Sequence, residues 1–393
     1  MIPRLRLVCF FILTALASAS WSQIPTSESH TSSTEGKIDR IFAATSDTHS
    51  AGAAVLVRKN GRTLVQRVYG LRDLRTRTAI DPQTNFRLAS CTKQFTALAI
   101  MLLVHDGRLR YDERLTDVFP DFPKYGQAIT IRNLLNHTSG LPDYEGLMDL
   151  ISAGKPPKWT ETHQIQDAEV LALLEAATSG KFAPGTSWSY SNSGYVVLGL
   201  VVGKVSGKPL ADFLSERIFR PLKMNHTLAY IQGTNQVPNR AYGHSQESGA
   251  MRETDQSSTS ATLGDGGVYS NLEDLARWDD ALAHYSLLSQ AEMQPALTPV
   301  KLPDGSLPGW AGDPGDTDPL NGEPVAYGFG WFLNSHQSHP RMWHYGDTVG
   351  FKTAIERFTQ DNLTVVVLGN RSDLDAEALA LKVADLYLAG AGR

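Results

Sequence analysis

The chain has 393 residues, 41% hydrophobic and 20% charged, an ordinary globular composition that excludes a disordered protein and suffices for one large domain or two packed lobes. Its 36 basic and 41 acidic residues are mixed along the chain and give a formal net charge of -5, which leaves no basic face for nucleic acid and no polybasic membrane anchor. The expected partner is a small-molecule or peptidic substrate.

Met1 to Gln23 reads as a secretory signal, with Arg4 and Arg6 as the positive region, Leu7 to Ala17 as the apolar region and Ala17-Ser18-Ala19 as a small-residue cleavage site. The apolar run falls well short of the roughly 20 residues that span a bilayer. Residues 1–19 are therefore expected to be removed, giving a secreted or periplasmic protein with no stable membrane insertion. Cleavage takes away Cys9, so Cys91 has no internal disulfide partner. Cys91 adjoins Ser90 without a local thiolate-stabilising His, which points to packing rather than chemistry.

Residues 20–36 are a polar lead-in without periodicity, and structure is expected from Lys37, where Ile38, Ile41 and Phe42 fall at helical spacing. Gly52 to Arg58 and Thr63 to Tyr69 are strand-like runs joined by the hairpin signal Lys59-Asn60-Gly61-Arg62. Thr92 to His105 is apolar almost all round, a buried helix ended by Asp106-Gly107, with Ser90 at its N-terminus. Residues 109–262 mix helices, such as Asp167 to Ala177 and Ser193 to Val205, with Pro- and Gly-containing loops, and read as a helical lobe. Ser270-Asn271-Leu272-Glu273 has the form of a capping box opening a helix through Leu282. Tyr327 to Leu333, Arg341 to Tyr345, Phe351 to Phe358 and Leu363 to Leu368 are strand-like, and Leu379, Val383 and Leu386 mark a closing helix. Strands at both chain ends imply an α+β fold with one antiparallel sheet completed by both termini.

Acyl transfer by serine needs a hydroxyl beside a proton acceptor. Ser90-Cys91-Thr92-Lys93 supplies that pair on one helix face. A free lysine is neutral in only about one molecule in 2,500 at pH 7, so burial and neighbouring positive or hydrogen-bonding groups must lower its pKa, and a drop of roughly 3 units, about 4 kcal/mol, would suffice. A second Ser-x-x-Lys, Ser152-Ala153-Gly154-Lys155, runs into Pro156-Pro157 and belongs on a surface loop. Tyr190-Ser191-Asn192 offers a phenol and an amide to relay a proton to the leaving group. The rival Tyr269-Ser270-Asn271 is set aside because Ser270 is expected to cap a helix. In Trp343-His344-Tyr345-Gly346-Asp347, glycine admits substrate close to the backbone, the amides of Ser90 and Asp347 could form an oxyanion hole, and His344 could supply a donor or positive charge.

Ser90-x-x-Lys93, Tyr190-x-Asn192 and His344-x-Gly346 together resemble the three ordered motifs of the serine beta-lactamase and penicillin-binding protein superfamily, in its class C-like branch. Phe86 to Ala89, Ile131 to Leu141, Phe182 to Gly185, Gly266-Gly267, Tyr327 to Trp331 and Asn370-Arg371 extend the likeness over about residues 36 to 390. The resemblance implies one hydrolase domain over 37–393, a helical lobe set against the sheet, an acyl-enzyme and no cofactor or metal. It makes Ser90 the nucleophile, Lys93 the base, Tyr190 the acid/base at the leaving group, and Asn192, His344, Gly346 and Asp347 substrate-binding residues; whether Lys93 or Tyr190 takes the first proton stays open. His344 stands where class C beta-lactamases carry Lys, which shifts the implied substrates from beta-lactams toward D-amino peptides, carboxypeptidase substrates and esters. Three other readings remain in view: a non-catalytic penicillin-binding-like sensor or scaffold, a metal site at His336, His339 and His344, and structural roles for His137 and Ser139.

Overall fold

The computed structural model describes residues 33–305, 307 and 326–388, so the signal segment and nearly all of the lead-in lie outside the described residues. Helix α1 (Thr34–Ile41) starts ahead of Lys37 because the Ser33 side chain accepts the Gly36 N–H and caps it. Strands β1 (Ala53–Lys59) and β2 (Arg62–Tyr69) follow as a hairpin. Its turn residues Asn60 and Gly61 have φ of 52° and 73°, the paired positive angles of a tight two-residue turn. The helical side then supplies α2 (Lys93–His105), α3 (Tyr144–Ser152), α4 (Asp167–Ala176), α5 (Asn192–Ser206) and α6 (Leu272–Ala283). The chain closes with β3 (Ala326–Tyr327), β4 (Phe332–His336), β5 (His339–Thr348), β6 (Phe351–Phe358), β7 (Leu363–Gly369) and α7 (Ala376–Leu388).

These strands form one antiparallel sheet in the order β3-β4-β5-β6-β7-β1-β2. β1 lies beside β7, with Ala53 opposite Gly369, so the two ends of the chain meet in the middle of the sheet as expected. Alternation of side chains divides the core. Ala53, Val55 and Val57 face α1 and α7, against Ile38, Phe42, Val383 and Ala384. Ala54 and Leu56 point the other way, into the larger core that holds Phe95 and Leu98 of α2. Because both faces are covered, β1 and β7 read as continuous apolar runs rather than alternating ones. α2 is apolar all round for the same reason, being enclosed on every side.

Two boundaries differ from the sequence reading. Tyr327 to Leu333 is split into β3 and β4 at Gly328 and Gly330, because a Cβ on Gly328 would stand 1.9 Å from Ala296 O and one on Gly330 2.7 Å from Gln94 Cα. The chain there is pressed against the start of α2. The cap of α6 is Asn271, whose side chain accepts the Asp274 N–H, while Ser270 ends a short strand with its hydroxyl on Thr227 Oγ1 at 2.7 Å. The region between α4 and α6 also holds small hairpin strands, His244–Glu247 against Ala250–Glu253.

Candidate active site

Ser90 stands on a single 3-10 turn, Ala89–Thr92, that leads directly into α2. The residue before it, Ala89, has φ of 46°, a left-handed conformation that for a non-glycine costs on the order of 1–3 kcal/mol and needs outside support. The support is visible. Thr353 Oγ1 donates to Leu88 O at 2.9 Å, Cys91 Sγ donates to His344 O at 3.2 Å, and Leu88 N donates to Val268 O at 2.8 Å. The Ser90 turn is thus fastened to β5 and β6. Burial pushes the Cys91 thiol up to about 12, so it remains a packed thiol.

Lys93 is fully buried, and its Nζ lies 3.0 Å from Ser90 Oγ, 2.8 Å from Asn192 Oδ1 and 3.0 Å from the carbonyl of Asp265. Burial lowers its pKa to about 8, against opposing carboxylate fields from Asp265 and then Glu145. The amide and carbonyl oxygens can only accept. A neutral amine therefore fills both with its two N–H groups and turns its lone pair toward Ser90 Oγ, whose hydroxyl can donate.

Tyr190 and Asn192 flank Ser191, which caps α5 by accepting the Gly194 N–H at 3.0 Å. The Tyr190 ring lies 4.8 Å from Lys93 Nζ, and the Ser90 side chain is near enough to its hydroxyl to lower its pKa against the effect of burial. Burial holds that hydroxyl well above its usual pKa, so it rests as a neutral phenol. His137 organises this loop from below: its Nδ1 accepts the Ser191 N–H at 3.1 Å, and its ring packs 4.5 Å from Tyr190 and 4.4 Å from Tyr327. Burial keeps its pKa well below the ordinary value, and the imidazole is neutral. Ser139 accepts the Leu141 N–H at 3.3 Å within the same loop.

On β5 the expected donor or positive charge at His344 is not what the geometry provides. The side chain is fully buried, Nδ1 donates to Tyr345 O at 2.7 Å and Nε2 accepts from Tyr327 Oη at 3.2 Å. Burial drives its pKa down to about 3, so it is neutral and turned against the rings of Tyr327, Phe332 and Tyr190. Gly346 is needed for close approach: a Cβ would stand 2.1 Å from Leu88 O, which lies just before Ser90. Asp347 is exposed and paired with Lys352 at 2.5 Å.

Side chains outside this cluster have other partners. His336 pairs with Asp385 at 2.7 Å and His339 with Asp361 at 2.9 Å, apart from His344, and among the described residues no group of three or more His, Cys, Asp or Glu is placed to hold a metal ion. Lys155 is exposed past the end of α3, away from Ser152's role in that helix. Tyr269 accepts from Arg240 Nη2 at 3.1 Å, and Asn271 donates to Asn85 Oδ1 at 3.1 Å. Sequence reasoning missed Asp265 and Tyr327 as neighbours of the site. Gly266-Gly267 belonged to the family likeness, but no motif signals that the carbonyl before them reaches Lys93.

A helical lobe against an antiparallel sheet built from both chain ends, with a buried lysine against a serine hydroxyl at their junction, defines the beta-lactamase and transpeptidase-like class of hydrolase folds. The family described as Beta-lactamase matches residues 38–389, and the chain belongs to it. Penicillin-binding protein 4* of Bacillus subtilis (strain 168) is 33% identical over 369 residues, covering 90% of this chain and 76% of that protein. Among solved structures, a penicillin binding protein from Bacillus halodurans is 26% identical with a TM-score of 0.69, covering 88% of this chain and 97% of that one. The D-amino acid amidase from Ochrobactrum anthropi SV3 is 26% identical with a TM-score of 0.68, covering 89% and 97%.

Proposed function

We propose that this chain is an exported serine hydrolase that forms an acyl-enzyme at Ser90, with Lys93 as the first base and Tyr190 as the proton relay. The observation that carries the reading is the Lys93 amine, 3.0 Å from Ser90 Oγ, with its other two neighbours pure acceptors and its pKa lowered to about 8. In acylation, Ser90 Oγ bonds to the substrate carbonyl carbon as its proton passes to Lys93 Nζ. The carbon–leaving-atom bond then breaks, and the leaving group takes a proton from Tyr190 Oη, which recovers one from Lys93. In deacylation a water bonds to the carbonyl carbon, the Ser90 ester bond breaks, and the water's proton returns to Ser90 through the same groups. The amides of Ser90 and Asp347 are assigned to the developing oxyanion.

The substrate class follows from the charge at the far end of the site. A neutral, inward-turned His344 and a Lys352 engaged by Asp347 offer little to a substrate carboxylate. Amides or peptides of D-amino acids and short esters are therefore placed ahead of carboxylate-terminated peptides and beta-lactams, a ranking also supported by the similarity to a D-amino acid amidase. Turnover of a D-aminoacyl amide, a D-alanyl-D-alanine peptide, a short-chain ester and a beta-lactam by wild type and Ser90→Ala tests this. Loss of all turnover in Ser90→Ala, with Ser90 labelled by a fluorophosphonate, is the expected result. A wild-type protein that neither turns over the panel nor takes the label is a scaffold or sensor, and the proposal falls. Export rests on residues 1–19 and is tested by sequencing the N-terminus of the secreted protein, expected to begin after Ala19.

A further inference from the structure

Beside Lys93 lies an aspartate whose carboxylate the acylation scheme does not use. Asp265 is 6% exposed, its carbonyl accepts from Lys93 Nζ at 3.0 Å, and Oδ2 accepts from Tyr144 Oη at 3.5 Å. Its other carboxylate oxygen, Oδ1, is buried with no hydrogen-bond partner. A buried carboxylate so poorly satisfied is costly, and the fold holds it there firmly. Gly264 O accepts from Thr96 Oγ1 at 2.7 Å, Leu263 N donates to Asp167 Oδ1 at 3.0 Å, and a Cβ on Gly264 would stand 2.2 Å from Tyr195 O. The turn cannot retreat from α2 or α5.

We propose that Asp265 is a positioning residue for Lys93: its carbonyl fixes one N–H of the amine, and its buried carboxylate keeps that amine basic enough to accept the Ser90 proton. Burial alone lowers the basicity of an amine, and a base made too weak is neutral but slow to take a proton. An uncompensated negative charge nearby offsets part of that loss. The groups facing Lys93 are few. Asp265 and Glu145 favour its charged form, Cys91 is a thiol, Tyr190 and Tyr195 present their rings, and His137 and His344 are neutral imidazoles. Asp265 is the largest of the opposing charges and Glu145 the next. Asp167, whose pKa is raised to about 7 by burial and further by Asp265, is not among the groups acting on Lys93.

This inference rests on the proposed role of Lys93, and it is tested by a readout that needs no turnover. The carbon-13 resonance of the Lys93 ε-carbon, assigned by its loss in Lys93→Ala, is followed against pH in the purified protein. Removing the charge by Asp265→Asn is expected to lower the Lys93 midpoint by ~1 pH unit. Asp265→Ser, a smaller replacement should the amide misfold, is expected to do the same, while Asp265→Glu and Asp167→Asn stay near wild type. In parallel, the acidic limb of kcat/KM moves down by the same amount and the plateau falls roughly threefold, because a weaker base is a slower one. A midpoint unmoved in both charge-removing variants overturns the proposal, as does an equal shift in Asp265→Glu or Asp167→Asn. Failure of the acyl-enzyme reading shows separately, as turnover persisting in Ser90→Ala.

Discussion

Lys93 and Tyr190 are both ionisable and both lie beside Ser90, yet burial acts on them in opposite directions. Losing water disfavours the charged form, so the lysine pKa falls to about 8 while the phenol rises well above its usual value. At neutral pH the lysine is the group within reach of its neutral, accepting form, and the tyrosine is the group with a proton to give. The proposed scheme takes its division of labour from this, and it fixes a sign. Because the base must be deprotonated, kcat/KM is expected to rise with pH through about 8, falling roughly tenfold per unit below it. The histidines add no break near neutrality, since His344 titrates near 3 and His137 also lies well below the ordinary value. A pH–rate profile with its acidic limb near 6.5 would mean that a histidine, not Lys93, controls the step. Tyr190→Phe keeps the ring that lies 4.8 Å from Lys93 and removes only the hydroxyl. It is expected to lower kcat by about 10²- to 10³-fold with the far-UV spectrum unchanged, and a loss below tenfold would remove Tyr190 from the relay.

Elements were legible in the sequence where period and punctuation agreed, as in the β1–β2 hairpin with its Asn60-Gly61 turn and the all-apolar α2. They were less legible where a distant contact set the boundary. The break between β3 and β4 exists because Gly330 meets Gln94, and nothing local encodes that meeting. The same long-range fastening carries the stability of the sheet's middle. Asn370, fully buried after β7, accepts the Gly52 N–H at 2.9 Å and donates to Leu71 O at 3.1 Å and Tyr242 O at 2.9 Å. Asn370→Ala leaves those backbone groups unsatisfied and is expected to cost about 3 kcal/mol in urea unfolding, whereas a change under about 0.5 kcal/mol would mean the clamp is idle. Gly346→Ala acts on the site instead. Its Cβ would meet Leu88 O at 2.1 Å and Thr353 Oγ1 at 2.3 Å, so β5 must move away from the turn that carries Ser90. Activity is expected to fall about 10²-fold while the fold persists, as checked by kinetics beside circular dichroism.

At the scale of the whole molecule, Ser90 and Lys93 were readable because one helical turn places them together, and Tyr190 and Asn192 because they flank the cap of α5. Asp265 was not readable, since a carbonyl oxygen belongs to every residue and only the folded chain brings this one to Lys93. His344 was readable as a position but not as a direction: on β5 the strand's alternation turns it into the aromatic cluster between sheet and helical lobe, where Tyr327 and Tyr190 also meet His137. This shared burial of two neutral histidines has a consequence for the entire fold. On unfolding, His344 returns from a pKa of about 3 to its ordinary 6.5, so between those values the unfolded chain holds a proton that the folded chain does not. The His344 contribution is full above about 6.5 and is lost as pH falls toward 3, at up to ~1.4 kcal/mol per pH unit for each such histidine. Lys93 adds a slope of the same sign higher up, between its folded value of about 8 and its ordinary 10.5. His344→Gln keeps an acceptor for Tyr327 Oη and cannot take up a proton, so its urea-unfolding free energy is expected to decline less steeply than wild type between pH 6.5 and 3, with the two slopes equal above 6.5. Parallel curves throughout that acid range would mean that His344 is already protonated in the folded protein, and a cation at that position would restore the carboxylate-binding role that its burial argues against.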